Sequence, residues 1–599
     1  MNKSQKFVWL LILIALFLSG TLAATYFSLP YPTAKGLADG LARDGNFQSL
    51  TLARFAALSL PLHLVGLALL AGGAAWLVFR RKSQPLVSRI LHFLPKLGNA
   101  LWLDLRTLLA ALNPRKLKKT DGYLLAALTL LAAGLRALYI MRSMSHDEAY
   151  TVVAFASRPI GIILSDYSLP NNHIFHSLLV HFSYVLFGMQ PWAVRLPVLL
   201  AGTLVAPAGY LLARLLYDRH TALISAALLA CAPFLINLST DARGYILICL
   251  FTLLTLALGF HLMHKRCPAS WVLLVVLSAL GFYTTPVMLY PTGVLFTWLL
   301  FSTLAGETRP AYGPALQFIK YLLAAGFATG LLSAILYTPV FLTSGVQSVV
   351  ANRFVIPLSL GDFLEILPVS IDQTWQTWNT DVGITGFIFL VGVLLSLIFH
   401  RRIASHRLPL QLAALAWLAV ELPVQRPYPW LKIWSFLFPL FLIWGAAGLL
   451  APLKNIRFKA WRNMNMTGLL TGAALVLIVS ASLFSAIHNY REVNATGEIE
   501  NTTLFLKSRL APGDIVVVDT PDDAPLWYYF ELHQVPDSYV IDIQKKPFQR
   551  AFVLVNPGYK QTLLTVINAR GPNPKRVDLQ SAREVYRSGN TITYLVSSK

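Results

Sequence analysis

Charge is scarce in this chain, and acid is scarcer than base. Of 599 residues only 13% are charged, with 27 Asp and Glu against 49 Lys and Arg. Soluble domains carry roughly 25% charged residues, so an ordinary soluble enzyme is excluded. Cysteine is nearly missing too, and three residues exclude a disulfide scaffold. There is no tandem repeat or low-complexity tract, and the repeated apolar runs exclude disorder. What fills the chain is hydrocarbon: 56% of residues are AVILMFWYC, and the mean hydropathy is +0.59. The formal net charge, 49 − 27 = +22, fits either a nucleic-acid binder or the loops of a membrane protein, and position decides between them.

Windows of about 20 mainly apolar residues, the length that crosses a bilayer, recur along the chain. They predict spans near 7–29, 54–79, 121–141, 193–216, 221–239, 244–263, 271–285, 286–304, 318–338, 382–399, 408–424, 431–450 and 466–487. The first run also fits a signal peptide, with Thr21-Leu22-Ala23-Ala24 near a cleavage site; its length and the span after it favour an uncleaved anchor. Between the second and third spans lie Arg80, Arg81, Lys82, Arg89, Lys96, Arg106, Arg115, Lys116, Lys118 and Lys119, with Asp104 the one acid among them. The positive-inside rule makes that loop cytoplasmic, and with it Arg214–His220, His264–Arg266, His400–Arg407 and Lys454–Arg462. Within the loop, apolar residues at helical spacing over 85–112 predict an interfacial amphipathic helix. The positive charge therefore serves orientation, and nucleic acid is excluded as a partner.

These anchors set the parity of the next segment. If 121–141 rises outward and 193–216 descends, residues 173–188 cannot cross, and a juxtamembrane or re-entrant helix is predicted there. The outer face then gathers 142–192, 239–244, 338–381 and 424–431. It also receives a tail, 488–599, whose composition predicts a small α/β domain: strands at Asp514–Thr520, Ser538–Ile543 and Ala551–Pro557, helices at 497–510, 523–534 and 560–569. The expected organisation is a two-span extension (1–119), a membrane domain (120–487) and an extracytoplasmic domain (488–599), in a multi-pass protein of the cytoplasmic (inner) membrane surrounded by lipid.

Four polar groups fall on that outer face. Asp147 and Glu148 come directly after a span, where lost hydration makes adjacent carboxylates costly and so functional candidates; a solvated helix cap is the competing reading. An Asp there suits a general base on an acceptor hydroxyl. Asn171, Asn172, His173 and His176 come next. The two histidines, three apart, share a helix face and with Glu148 suit a divalent metal, although polar residues at a wet helix start explain them as well. Asn171 and Asn172 suit sugar hydroxyls. Asp241 and Arg243 are either a structural ion pair or a phosphate clamp, since the planar guanidinium donates two hydrogen bonds at once. Arg426 and Lys432 flank Tyr428 and further aromatics, which suit a lipid chain or simply an interfacial belt, as do Trp375 and Trp378.

Taken together, Asp147-Glu148, Asn171-Asn172-His173, Phe187-Gly188, Trp192–Pro197 and Ala242-Arg243-Gly244-Tyr245 resemble the GT-C superfamily of integral-membrane glycosyltransferases. The closer likeness is to the bacterial branch related to protein O-mannosyltransferases and lipid A aminoarabinose transferases. It covers about 120–305 well, is looser to 487 and weak beyond; 1–119 looks like an addition. The resemblance implies a polytopic α-helical membrane fold of about 13 transmembrane helices, with juxtamembrane helices in the first outer loop. It implies a hexosyl- or pentosyltransferase using a polyprenyl-phosphate-linked sugar, with a glycan, lipid or protein as acceptor. Asp147 would then be the base, and Glu148 would orient the acceptor or help hold a metal. Arg243 and Lys432, with Arg426, would hold the donor phosphate. Asn171, Asn172, His173, Asp241, Tyr245 and Tyr428 would hold acceptor or sugar. With one placed base and no evident covalent nucleophile, single displacement would invert the anomeric centre. Metal dependence stays open through Glu148, His173 and His176. The rival reading is a transporter or flippase of a lipid-linked or small polar substrate, against which stands the clustering of charge on one face.

Overall fold

The computed structural model describes residues 3–40, 50–111, 119–352, 356–379, 385–428, 431–452, 466–493, 497–544 and 546–599. Arg115, Lys116, Lys118, Lys454–Arg462 and Trp430 lie outside them, as do the side chains of Ile90, Leu94, Leu97 and Leu108 on the basic helix.

Every predicted span coincides with helix over most of its described length. Among the described residues nine helices are long and apolar enough to cross a membrane, from Gln5–Tyr26 to Thr467–Tyr490, and the pair Arg219–Cys231 and Pro233–Ser239 passes only as one bent span. Three of the predicted spans are shorter, at Pro268–Thr284, Gly386–Ile398 and Leu410–Gln425. The chain is thus a multi-pass helical membrane protein carrying a small sheet near its C-terminus. The segment excluded by parity is the 14-residue helix Ile174–Phe187. At 1.5 Å per residue it reaches about 21 Å, short of the roughly 30 Å hydrocarbon core. The basic loop is one long helix, Arg80–Ala111, which packs against Pro268–Thr284.

One break in the bundle lies just before the loop that carries Asp241 and Arg243. Pro233 begins a new helix bent by 57° from the last, and having no N–H it leaves the Leu229 carbonyl without its helical partner. Arg136, fully buried in the span before the first outer loop, repairs the break. Its guanidinium donates to Leu229 O (3.2 Å), Ala230 O (2.9 Å), its own Ala132 O (3.0 Å) and Ser239 Oγ (3.0 Å). Backbone polar groups in lipid must find such partners. Replacing Arg136 by Met is expected to cost about 1–3 kcal/mol, the usual penalty for buried carbonyls left unpaired. Thermal unfolding in detergent measures it, and an unchanged midpoint would remove Arg136 from this role.

The C-terminal domain is a four-stranded sheet in the order β1-β2-β4-β3, with β1 (Asp514–Val517) parallel to β2 (Arg550–Val555) and the remaining pairs antiparallel. The crossover joining the parallel strands includes the helix Asp523–Leu532. Helices Glu498–Arg509 and Leu563–Arg570 also fall where predicted. The expected strand at Ser538–Ile543 is instead a turn, Asp537–Tyr539, because no neighbouring strand offers it hydrogen bonds. Two strands escaped the sequence reading, β3 (Val577–Ser588) and β4 (Thr591–Ser598). They are joined by the two-residue turn Gly589-Asn590, with Gly589 at φ +54°.

Candidate active site

The site is assembled at one end of the bundle from three loops and the turn Leu431–Phe436, which carries Lys432. In the first, the short helix His146–Thr151 starts at Ser145, whose N–H Glu148 Oε2 accepts at 3.4 Å. The competing cap reading therefore holds for Ser145 and not for Asp147; Glu148 completes the capping box but has further partners. That side chain is fully buried and paired with equally buried Arg195, at 2.6 Å from Nε and 2.7 Å from Nη2. Arg195 also donates to the carbonyls of Ile140 (2.8 Å), Arg142 (2.6 Å) and Ser143 (3.2 Å). Glu148 Oε1 in turn accepts the Ala242 N–H at 2.7 Å. One carboxylate thus ties the Asp147 loop, the Pro191–Leu216 helix and the Arg243 loop together.

Its neighbour is placed differently. The Asp147 side chain is 48% exposed, with Oδ1 3.4 Å from Asn171 Nδ2 and Oδ2 3.8 Å from Arg243 Nη2. Immediately after this helix the backbone widens into a π-helical turn, Val152–Ala156, a feature common near functional sites.

In the second loop, Asn172 and His173 are tied to the backbone. Asn172 is buried and donates to Ile163 O (2.9 Å) and Asp166 O (2.7 Å), so only Asn171 reaches Asp147. His173 Nδ1 accepts the Gly244 N–H at 2.9 Å, and its ring meets Tyr245 edge-on at 5.0 Å. A Cβ on Gly244 would lie 2.3 Å from Thr284 Cγ2 and 3.0 Å from His173 Nδ1, so this approach requires glycine. Burial and the Arg243 charge push His173 well below its usual pKa, which keeps it neutral.

The third loop, 240–244, is held by Arg142, which donates to Thr240 O (3.0 Å) and to Asn237 O and Oδ1 (3.2 Å each). Asp241 Oδ2 pairs with Lys432 Nζ at 2.8 Å. Burial pushes the Asp241 carboxyl up, but Lys432, Arg142 and Arg243 outweigh it and hold it below the usual carboxylate range. Arg243 is buried; its Nη1 donates to Asp147 O and Thr151 Oγ1 at 3.3 Å each. Tyr245 carries both cations on its ring, Arg243 at 5.7 Å and Lys432 at 5.8 Å. Arg243 Nε and Asp241 Oδ1 are buried without a protein partner among the described residues, an arrangement suited to a polar ligand.

One expectation needs correction. Glu148 and His173 are not free for the expected metal: Glu148 is held by Arg195 and Ala242 and His173 Nδ1 by Gly244, while both ring nitrogens of buried His176 have no protein partner among the described residues. Among the described residues no group of three or more His, Cys, Asp or Glu is arranged to hold a metal. Arg426 lies six residues before Lys432. It turns the chain at a left-handed φ of 42°, its carbonyl accepts Leu358 N–H, and no ion pair or hydrogen bond links it to Asp147, Asp241 or Arg243 among the described residues. Tyr428 is exposed on the same segment. The sequence reading missed Arg136 and Arg142 and gave Arg195 no role; an arginine inside or beside an apolar span was the available signal.

The C-terminal domain packs on the first loop. Tyr529 Oη accepts the Met144 N–H at 3.1 Å, and Tyr528 Oη donates to Met189 O. His146 Nδ1 lies 3.0 Å from Pro521 O and 3.1 Å from Asp523 Oδ1, and the Asp523 hydrogen bond raises the His146 pKa.

No relative of curated function matches the chain by sequence. Among solved structures, ArnT from Cupriavidus metallidurans in the apo state aligns over 80% of this chain and 98% of its own, at 15% identity and a TM-score of 0.46. The archaeal oligosaccharyltransferase AglB from Archaeoglobus fulgidus, in complex with an inhibitory peptide and a dolichol-phosphate, aligns over 80% and 74%, at 12% identity and a TM-score of 0.47. The arabinosyltransferase EmbB from Mycobacterium smegmatis aligns over 72% and 44%, at 13% and 0.37. Residues 171–325, which hold His173, Arg195 and the Asp241–Tyr245 loop, match the family model described as dolichyl-phosphate-mannose-protein mannosyltransferase, and over this segment the chain resembles the GT-C glycosyltransferases.

Proposed function

We propose that the chain is a membrane glycosyltransferase that moves a sugar from a polyprenyl-phosphate donor to an acceptor hydroxyl on the outer side of the cytoplasmic membrane. The observation that carries this reading is the pairing of a half-exposed carboxylate, Asp147, with a buried guanidinium, Arg243, whose Nε has no protein partner among the described residues. Asp147 takes the proton from the acceptor O–H. The acceptor oxygen forms its bond to the anomeric carbon as the bond to the phosphate oxygen breaks. The phosphate leaves with the electron pair, and Arg243 and Lys432 offset its growing charge. Fixed cations in a site of low dielectric favour that charge more than water would. A single displacement of this kind inverts the anomeric centre. Asn171 positions Asp147, while Glu148 and Arg195 form the frame. No step is routed through a metal, since Glu148 is held by Arg195 and Ala242 and His173 Nδ1 by Gly244.

The test supplies a radiolabelled polyprenyl-phosphate sugar to the purified protein with a hydroxylated acceptor and monitors label transfer. Vectorial movement of the donor without transfer would favour the transporter reading. Replacing Arg243 by Gln is expected to raise KM for the donor about tenfold or more, matching the roughly 1.5–3 kcal/mol of a hydrogen bond to a charged group. Free polyprenyl phosphate should inhibit this variant correspondingly less. An unchanged KM would move the phosphate elsewhere.

A further inference from the structure

A cavity lies at the other end of the bundle from the candidate site. The helix Tyr245–His264 runs from the Arg243 loop to Arg266, and its 20 residues place that end about 30 Å away. There a groove of about 500 Å³ opens between Pro268–Thr284 and Ala315–Thr343. Its walls are apolar: Val272 and Val276 on one helix face Ala324, Ala325 and Ala328 on the other, and the alanines leave the space.

The mouth is aromatic, cationic and well built. Trp271 stacks on Tyr321 at 6.1 Å and donates its indole N–H to Tyr312 Oη at 3.3 Å. Arg266 lies over the Tyr312 ring at 5.3 Å. Among the described residues its hydrogen-bond acceptors are neutral, namely Ala311 O (2.9 Å), Tyr312 O (3.3 Å) and Gln317 Oε1 (3.0 Å). Among the described residues no carboxylate pairs with Arg266, Lys265 or Lys320, all exposed. The basic helix Arg80–Ala111, carrying Arg80, Arg81, Lys82, Arg89, Lys96 and Arg106, packs against the same Pro268–Thr284 helix.

We infer that this groove holds one phospholipid of net negative charge, with a hydrocarbon chain between the two helices and its phosphate at Arg266. Apolar walls of this volume fit an acyl chain, and fixed cations lacking acidic partners at the level of an aromatic rim fit an anionic headgroup. The donor of the transfer reaction is a poorer occupant, since its phosphate belongs with Arg243 and Lys432 at the opposite end.

Native mass spectrometry of the full chain tests this, after equilibration with equal amounts of phosphatidylglycerol and phosphatidylethanolamine of matched chains. The natural protein should retain one phosphatidylglycerol, in about tenfold preference. Ala328→Phe, which fills the groove, should lose the lipid, and Ala324→Leu should weaken retention if the larger replacement does not fold. Arg266→Gln should keep a lipid and lose the preference, with Lys320→Gln moving it the same way. Equal retention of both lipids by the natural protein would overturn the inference, as would retention unaffected by filling the groove. Displacement of phosphatidylglycerol by polyprenyl phosphate, in the natural protein but not in Ala328→Phe, would assign the groove to the donor instead.

Discussion

Replacing Asp147 by Asn is expected to lower the rate of sugar transfer by about 10²–10⁴-fold, the usual contribution of a positioned general base. That factor corresponds to roughly 3–5 kcal/mol of barrier. The fold should be indifferent, because Asp147 is half exposed and its contacts are a 3.4 Å hydrogen bond from Asn171 and a 3.8 Å approach to Arg243. Donor binding should survive and even tighten slightly, since the substitution removes an anion that competes with the lipid phosphate for Arg243. The diagnostic result is therefore a collapse of kcat with KM for the donor unchanged or lowered, at an unaltered unfolding midpoint. A rate within a few-fold of the natural protein would end the base assignment.

Arg195→Met should act through stability. It leaves the fully buried Glu148 carboxylate without its cation, and breaking one side of a buried ion pair costs about 3–5 kcal/mol. Glu148→Gln should be milder, because Arg195 keeps three carbonyl acceptors, from Ile140, Arg142 and Ser143. The double variant should recover much of the loss, so the cycle reports a strong favourable coupling. Unfolding midpoints of the four proteins in one detergent measure it. Additive losses would mean that the two groups do not depend on each other. Activity gives a second readout: Glu148→Gln weakens the bond from Ala242 and should misplace Arg243 even where the protein stays folded.

These two residues also mark where reading the sequence stops. Adjacent acids after a span are visible in the letters, but their division of labour is not. It depends on Arg195, 47 positions away, reaching one carboxylate and leaving the other to solvent. The apolar runs announced the spans because their signal is local and composition alone carries it. The repair of a broken helix by Arg136 is a contact across 93 and 94 positions, and nothing near Pro233 names its partner. Gly589-Asn590 between alternating residues was a legible hairpin that composition masked, since β3 is largely polar on its exposed face. Ser538–Ile543 shows the converse: an apolar stretch becomes a strand only where a neighbour can pair with it.

The packing of the C-terminal domain on the Asp147 loop has a consequence in time. Met144 and Tyr529 are 385 positions apart, and His146 and Pro521 are 375 apart. At roughly 5–20 residues per second, a ribosome needs on the order of 20–80 s to travel from the loop to its last supports. Through that interval the membrane helices can insert and pack, while Ser145–Glu148 lacks the tyrosine and the aspartate that finish its outer surface. The Ser145–Glu148 loop is thus among the last parts of the protein to be completed, and a chain that stops before residue 521 would be a folded bundle in which this loop lacks its supports.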